Sequence, residues 1–336
     1  MRDDILAAID QLRTNHVVDI VRQASRADGI DAAVRLLADV QREVGLRWQT
    51  QQWTVAEEHA ATAIVDIALT AAALETTPPA REAVAALVCG EGEWHGLPAR
   101  MTAEQLRAAG CDVIFLGTSV PAEHVNAYLR STPATALLVS CTVAIHLGGA
   151  RRTVAAAHTA GVPVIVGGAA FDPAGRRAKA IGADACAVSA GDAARLLRTW
   201  VREPPRLAGP TVSDAAAMAL AGTRPTVVAD AMQLLAERLP PFTTYTQAQR
   251  ERTREDLDYI VQFVEAALLT EDETIVAEFV PWLTRVLTAR DIPESVVALG
   301  LDVLHDCLDP DAAEARRILR SHTMPGGDSD STPSEP

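Results

Sequence analysis

Three consecutive patterns in the sequence predict a multidomain protein of the α and α/β class. Apolar residues recur at helical spacing up to about residue 77, and short apolar strands then alternate with helices from 80 to 204. From 223 to 322 the spacing is helical again, without strand alternation. We therefore predict an N-terminal four-helix bundle, a doubly wound parallel α/β domain and a C-terminal all-α domain of globin-like or bundle type.

The composition limits the kind of protein. Of the 336 residues 49% are hydrophobic, and the formal net charge is -14. A large core can therefore form, and a nucleic-acid-binding surface, which needs clustered Lys and Arg, is not expected. No apolar stretch is long enough to span a membrane, no signal peptide is visible, and the five cysteines are scattered. These features favour a cytoplasmic protein with reduced thiols and no membrane contact.

In the first region, helical spacing is clear over residues 30–44, and Thr54 is a candidate N-cap of the following helix. Trp48 precedes this junction and is followed ten residues later by Glu58 and His59. The residues alone leave two interpretations open. The tryptophan can be buried at a helix junction beside a solvated Glu-His pair, or the three side chains can belong to a ligand site.

In the second region, each of four predicted strands ends in a loop with small or polar residues. In chain order these are Glu93 and His95, Thr118 and Val120, Ser140 and Thr142, and Gly167 and Gly168. Ligands of open parallel sheets bind beyond the carboxyl ends of the strands, so the loops with His95, with Ser140 and with the two glycines predict one binding site. A histidine with a carboxylate two residues earlier suits metal ligation, since one ring nitrogen can bind the metal while the other donates to the carboxylate. A lone loop histidine is more often a surface residue.

The order and spacing of these loops resemble the cobalamin-binding fold, whose signature is Asp-x-His-x-x-Gly, Ser-x-Thr and Gly-Gly. His95 lies 45 residues before Ser140, which lies 27 residues before Gly167. The sequence departs from the family at two positions, with Glu93 in place of Asp and Pro98 in place of Gly.

This resemblance implies a role for each loop. His95 would be the cobalt ligand, with Glu93 as its hydrogen-bond partner. Thr118 and Val120, within the loop of residues 117–121, would line the corrin ring. The remaining loop residues, Ser140, Thr142, Gly167 and Gly168, would surround the buried nucleotide tail of the cofactor.

The pattern of Trp48 followed by Glu58-His59 resembles the helical cap of adenosylcobalamin-dependent light sensors of the transcription-regulator type. The resemblance implies that Trp48 packs over the adenosyl group and that Glu58 binds its ribose hydroxyls. Gln49 stands where such sensors can carry a histidine that captures cobalt after illumination.

The C-terminal region resembles the chromophore segment of phycobiliproteins through Asp256-Leu-Asp-Tyr259, followed by Ala-Leu-Leu, a Trp/Leu helix and Ile-Pro. Thr253 replaces the cysteine that binds the bilin in that family, and Glu255 replaces an arginine. The resemblance therefore implies a non-covalent bilin, biliverdin being the expected one, with Asp256 holding its pyrrole N–H groups. Tyr259, with Phe263 and Trp282, would line the pocket. The alternative is a globin-like dimerisation domain without pigment.

Together the three regions resemble the photocobilins, photoreceptors that combine a cobalamin with a bilin. This implies a non-enzymatic signalling protein, a homodimer in expectation, whose output is a protein partner or a change of oligomer. The alternative is a corrinoid methyl carrier of a methyltransferase system. Predicted boundaries are 1–77 for the cap, 80–204 for the cobalamin domain and 223–322 for the bilin-type domain. Linkers are expected at Pro78-Pro79 and at 204–222, and a disordered tail at 323–336.

Overall fold

The computed structural model describes residues 1–76, 79 and 83–322. The predicted linker residue Pro78 and the predicted disordered tail 323–336 lie outside the described residues. The chain forms two compact units, one of residues 1–214 with 269–272 and one of residues 215–268 with 273 onward. Among the described helices, none is long and apolar enough to cross a membrane.

The first unit begins with the predicted four-helix bundle. Its helices are α1 (Arg2–Asp10), α2 (Thr14–Asp28), α3 (Ile30–Gln49) and α4 (Val55–Ala73). Their apolar stripes meet in one core, in which Leu37 and Leu69 are fully buried. The predicted N-cap Thr54 is confirmed. Its side chain accepts from the backbone N–H of Glu57, whose carboxylate in turn accepts from the backbone N–H of Thr54, so both ends of this capping box are satisfied.

A five-stranded parallel sheet follows, as predicted. Its strands are β1 (Ala83–Cys89), β2 (Cys111–Gly117), β3 (Ala136–Ser140), β4 (Val164–Gly167) and β5 (Ala185–Cys186). The helices that connect and follow them are α5 (Gly96–Ala108), α6 (Ala122–Ser131), α7 (Leu147–Thr159), α8 (Arg176–Ala180) and α9 (Ala190–Arg202). The strand order is β2-β1-β3-β4-β5, so the chain reverses direction across the sheet between β1 and β3. In such sheets the crevice at this switch point is where ligands bind.

Helix α5 joins the bundle to the sheet within this unit. Met101 is buried in the core of the bundle. Arg100 pairs with Asp66 and donates to the hydroxyl of Thr70 at 2.7 Å, and both partners lie on α4. Since α5 begins directly after His95, the bundle is packed on the helix that starts at the candidate metal ligand.

The second unit is helical in all its described elements. It contains α10 (Ala215–Arg238), α11 (Gln247–Thr270), α12 (Thr274–Thr288), α13 (Glu294–Cys307) and α14 (Ala313–Arg320). The last two residues of α11 fall in the first unit. Helix α10 begins eight residues before the predicted domain boundary at 223, because its Ala-rich start favours helix and buries Ala217 and Leu220. The globin-like assignment of this region stays a prediction.

Candidate cofactor site

A buried carboxylate organises the loop between β1 and α5. Glu93 has 0% of its surface exposed, and one carboxylate oxygen accepts from His95 Nδ1 at 2.5 Å and from the His95 backbone N–H at 2.9 Å. The other oxygen accepts from the backbone N–H groups of Thr142 at 2.7 Å and Val143 at 3.0 Å. The predicted Glu–His hydrogen bond is therefore present, and in the neutral imidazole it favours the proton on Nδ1, which makes Nε2 available to a metal.

These contacts set the protonation of both side chains. Burial alone would raise the pKa of Glu93, but the hydrogen bonds from the His95 ring and from three backbone N–H groups lower this pKa to about 2. The hydrogen bond with Glu93 raises the pKa of His95, burial opposes it, and the charges of Glu93 and Glu58 add to the rise. A more basic imidazole is a stronger ligand. The His95 side chain is 57% exposed, so it can reach a bound group.

The loop after β2 holds the His95 loop from one side. Ser119 accepts from the backbone N–H of Gly92 at 3.1 Å and donates its own N–H to the carbonyl of Glu93 at 3.0 Å. Thr118 and Val120 flank it and are half-buried, next to the predicted site. From the other side the His146 ring faces Gly92, and burial lowers the pKa of His146. Sequence reasoning placed Ser119 only within the loop of residues 117–121 that the resemblance assigns to the corrin ring, and it assigned no role to His146.

The loops after β3 and β4 are packed on each other by small residues. The Ser140 carbonyl accepts from the Gly90 N–H at 3.0 Å. Gly168 has φ of 110°, and a Cβ there would overlap the Cys141 carbonyl. A Cβ at Gly167 would lie 3.0 Å from the Ala187 carbonyl oxygen. The two glycines thus let backbone approach backbone, and their place beside the nucleotide tail of a cofactor stays a prediction.

Gly149, which is not among the predicted site residues, allows a similarly close backbone contact with the loop after β1. Gly149 lies in the first turn of α7, and a Cβ there would overlap the Glu91 carbonyl oxygen. Its neighbour Gly148 has room for a side chain, since the nearest atom to such a Cβ is Arg152 Nη1 at 3.9 Å. A glycine pair at a helix start is common enough that the sequence does not distinguish these two roles.

The cap residues lie at one end of the bundle. Trp48 is in the last turn of α3 and half-buried, and Glu58 is in the first turn of α4. The Glu58 carboxylate accepts from the Thr62 hydroxyl at 2.9 Å and contacts His59 Nδ1 at 2.6 Å. His59 itself is exposed. Because the charge of Glu58 acts on the pKa of His95, the cap carboxylate and the predicted metal ligand lie within electrostatic range of each other.

The residues at this edge fit a cobalamin. His95 would hold the cobalt of a bound cobalamin through its Nε2, since a metal already bound by a macrocycle requires few protein ligands. The Thr142 hydroxyl is buried and hydrogen-bonds to no described residue, so it has an unused donor and acceptor. Trp94 directly precedes His95 and is 73% exposed, so its indole is accessible beside the candidate metal ligand. The described residues contain no group of three or more His, Cys, Asp or Glu side chains that could hold a metal ion.

The second unit contains a mostly apolar cleft that is open to solvent. It is lined by Leu235, Leu239, Tyr245, Thr253, Asp256, Leu257, Ile260, Leu283, Leu287, Ile292, Val296, Val297 and Gly300. Burial raises the pKa of Asp256 to about 6, the charge of Glu255 adds to the rise, and the charges of Arg290 and Arg252 oppose it. Tyr259 is 47% exposed and is not among the lining residues, and Tyr245 lines the cleft instead. Phe263 stacks on Phe279 with ring centroids 3.6 Å apart, outside the lining set.

Comparison with known proteins agrees with the geometry of the first unit. Residues 83–198 match the family model of the B12 binding domain, and residues 1–72 match a second model of the same description. The chain is 34% identical over 128 residues to the HTH-type transcriptional repressor CarH of Myxococcus xanthus. The matched stretch is 37% of this chain and 42% of that repressor, so the chain spans less than half of the curated relative.

A solved structure shares the fold of the first unit. The monomethylamine corrinoid protein of Methanosarcina barkeri superposes with a TM-score of 0.50 at 18% sequence identity. The superposition covers 58% of this chain and 96% of that protein. The helical N-terminal region and the parallel α/β domain are therefore those of a cobalamin-binding fold.

Proposed function

We propose that the chain is a cobalamin-dependent photoreceptor that binds adenosylcobalamin between its helical cap and its parallel sheet. The observation that carries this proposal is the Glu93–His95 pair, which presents a free imidazole nitrogen at the switch point of the sheet. The matches of both regions to B12 binding domains support cobalamin as the cofactor. Similarity to a transcriptional repressor supports a regulatory role over an enzymatic one.

The cap residues would couple the absorption of light to a structural change. Adenosylcobalamin supplies, when bound, a cobalt–carbon bond that visible light breaks. Trp48 buries a flat adenine well, and the Glu58 carboxylate can accept from two ribose hydroxyls. These contacts exist only while the adenosyl group is in place. Its loss therefore removes the interactions that stabilise one arrangement of the cap over another. We propose that the resulting change is read by a protein partner or as a change of homo-oligomer.

Binding selectivity tests the cap. The apoprotein is titrated with adenosylcobalamin and with methylcobalamin, which lacks the adenosyl group. Trp48→Ala and Glu58→Gln should each weaken adenosylcobalamin binding by about tenfold, because about 1.4 kcal/mol of contact is lost, and leave methylcobalamin binding unchanged. Leu46→Ala is the control, since Leu46 is 51% exposed in the same last turn of α3.

A photoreceptor and a corrinoid methyl carrier are expected to differ in their relative affinities for adenosylcobalamin and methylcobalamin. Equal affinities for the two cofactors in the wild type and in both variants would contradict an adenosyl-covering cap. That result would favour the corrinoid methyl carrier, which needs an accessible upper cobalt face.

For the second unit we propose a non-covalent bilin, biliverdin in the first instance, in the cleft that contains Asp256. The supporting observation is a carboxylate with a raised pKa in a mostly apolar cleft, since it can accept hydrogen bonds from the pyrrole N–H groups of a bilin. Thr253 lines the cleft and offers no thiol, so the pigment should be released when the protein is denatured.

Reconstitution with biliverdin tests this part separately. Asp256→Ala should abolish the protein-bound red absorption band and leave cobalamin binding unchanged. Glu255→Ala is the matched control, because Glu255 is the adjacent carboxylate and is exposed. A red band that survives in Asp256→Ala would contradict the anchor. A wild-type protein that takes up no bilin would favour the pigment-free dimerisation domain.

A further inference from the structure

Ser119 has an unusual backbone for its residue type. Its φ is 49°, in the left-handed region that serine seldom adopts and that glycine or asparagine tolerates. It lies in the loop after β2, which in this sheet is the neighbour of β1. Strained backbone that is held by its surroundings is typical of functional sites.

Two hydrogen bonds to the loop that carries His95 hold Ser119 in this left-handed conformation. The Ser119 hydroxyl accepts from the Gly92 N–H at 3.1 Å, and the Ser119 N–H donates to the Glu93 carbonyl at 3.0 Å. These bonds hold the residues on both sides of the Gly92–Glu93 peptide bond. They therefore fix the direction in which the Glu93 side chain leaves the backbone, and with it the ring that Glu93 orients.

On the side away from Ser119, the same loop is contacted by His146. A Cβ at Gly92 would lie 3.3 Å from Nδ1 of His146, so the half-buried His146 ring is in contact with this part of the loop. Beyond Glu93, the N–H groups of Thr142 and Val143 hold its carboxylate. The loop after β1 is thus held between the loops after β2 and β3, and the Ser119 hydroxyl contributes a side-chain hydrogen bond from the β2 side.

From these contacts we infer that Ser119 is a positioning residue for the axial ligand, acting through Gly92 and Glu93 to hold the His95 imidazole in the metal-binding orientation. The inference rests on the proposed function, because it assumes that His95 is the ligand. Ser119 touches neither the cofactor nor the metal in this role. Partners one step removed from a metal ligand change affinity by about 10–100-fold when they are replaced.

Three substitutions separate the hydroxyl from the backbone. Ser119→Gly keeps the left-handed backbone and removes the acceptor. Ser119→Ala removes the acceptor and keeps the strain. Ser119→Asn tolerates the left-handed region and restores a side-chain oxygen. Ser131→Gly is the control, since Ser131 ends α6 and its hydroxyl bonds only within that helix, to the Tyr128 carbonyl at 2.9 Å.

The readout is electron paramagnetic resonance of the full chain loaded with cobalt(II) cobalamin, using protein labelled with ¹⁵N-histidine. A histidine nitrogen on cobalt splits each line into two, and an unlabelled nitrogen of the cofactor splits it into three. In the apoprotein, ¹⁵N NMR reports the fraction of His95 with its proton on Nδ1. Circular dichroism and thermal unfolding verify that each variant is folded.

We expect the wild type, Ser119→Asn and Ser131→Gly to show the histidine splitting and a dominant Nδ1–H tautomer. Ser119→Gly and Ser119→Ala should lose much of both and bind cobalamin about tenfold more weakly or worse. If Ser119→Gly retains the wild-type splitting, tautomer and affinity, or if Ser119→Asn loses them, the inference about Ser119 is overturned while His95 remains the ligand. If the wild type shows no histidine splitting, the assignment of His95 fails and the role of Ser119 fails with it.

Discussion

Replacing Glu93 by glutamine tests whether this carboxylate holds the His95 loop together. The native carboxylate accepts four hydrogen bonds, all from N–H donors. A glutamine amide keeps one oxygen and turns an N–H₂ group toward two of these donors. We therefore expect at least two hydrogen bonds to a charged acceptor to be lost, each of about 1.5–3 kcal/mol.

The pKa of Glu93 gives an independent magnitude. Lowering this pKa from 4.5 to about 2 corresponds to a native-state preference for the carboxylate. At 1.36 kcal/mol per pKa unit this preference is about 3 kcal/mol. Both arguments predict that Glu93→Gln lowers the free energy of unfolding of the apoprotein by about 3 kcal/mol at pH 7, or more if the amide clashes with the donors.

The assay is urea unfolding of the apoprotein, followed by circular dichroism between pH 7 and pH 3. Because the folded-state pKa of Glu93 is lowered, its stabilisation is complete above the unfolded value of 4.5 and is lost as the pH falls toward 2. The difference between wild type and Glu93→Gln should thus be constant from pH 7 to 5.5 and fall to roughly half near pH 3.

Glu91→Gln is the matched control, two residues earlier in the same loop. Glu91 pairs with the exposed Arg152 at 2.8 Å, and a surface ion pair of this kind contributes about 0–1 kcal/mol. A Glu93→Gln variant as stable as Glu91→Gln, or a difference that grows as the pH falls, would refute the view that the carboxylate holds the loop.

Three further outcomes are expected. His95→Ala should bind cobalamin at least about tenfold more weakly and alter its absorption spectrum, and an unchanged affinity and spectrum would exclude His95 as the ligand. Asp256→Asn should stabilise the apoprotein by roughly 1–2 kcal/mol above pH 6 and not below pH 4 in urea unfolding, because burial raises the Asp256 pKa to about 6 and penalises the charged form. No gain at pH 7.5 would contradict that penalty. Gly149→Ala should lower the free energy of unfolding by more than about 2 kcal/mol, because its Cβ overlaps the Glu91 carbonyl, whereas Gly148→Ala should be neutral or stabilising. Equal effects in the two glycine variants would disprove the close approach.

Local patterns were sufficient for the parts of the fold that depend on local sequence. The bundle helices, the four main strands and the loops at their carboxyl ends follow from apolar spacing and turn residues. The hydrogen bond between Glu93 and His95 was also predictable, because the two residues are only two positions apart.

Contacts between distant loops were not predictable in this way. Ser119 and His146 meet Gly92 because β2 and β3 both neighbour β1, and strand order is a property of the whole sheet. Nothing in the neighbourhood of Ser119 in the sequence indicates a left-handed serine. Gly149, seen alone, is only a weak helix former.

In the second unit, helix geometry decides which residues of a short segment face the cleft. At 100° per residue, Thr253, Asp256 and Ile260 share one face of α11, and this face lines the cleft. Tyr259 is rotated about 100° from the middle of that face, which explains why it is exposed. The resemblance predicted a short segment, and the helix geometry selects which of its residues face inward.

The most direct test of the proposed function is one light experiment on the full chain. The protein is loaded with adenosylcobalamin in the dark, and its absorption spectrum and hydrodynamic size are measured before and after green light. We predict loss of the alkyl-cobalamin bands together with a change in size or oligomeric state, and neither change when methylcobalamin is bound to protein kept in the dark. Photolysis at the rate of free adenosylcobalamin, with no change in size or shape, would contradict a photoreceptor.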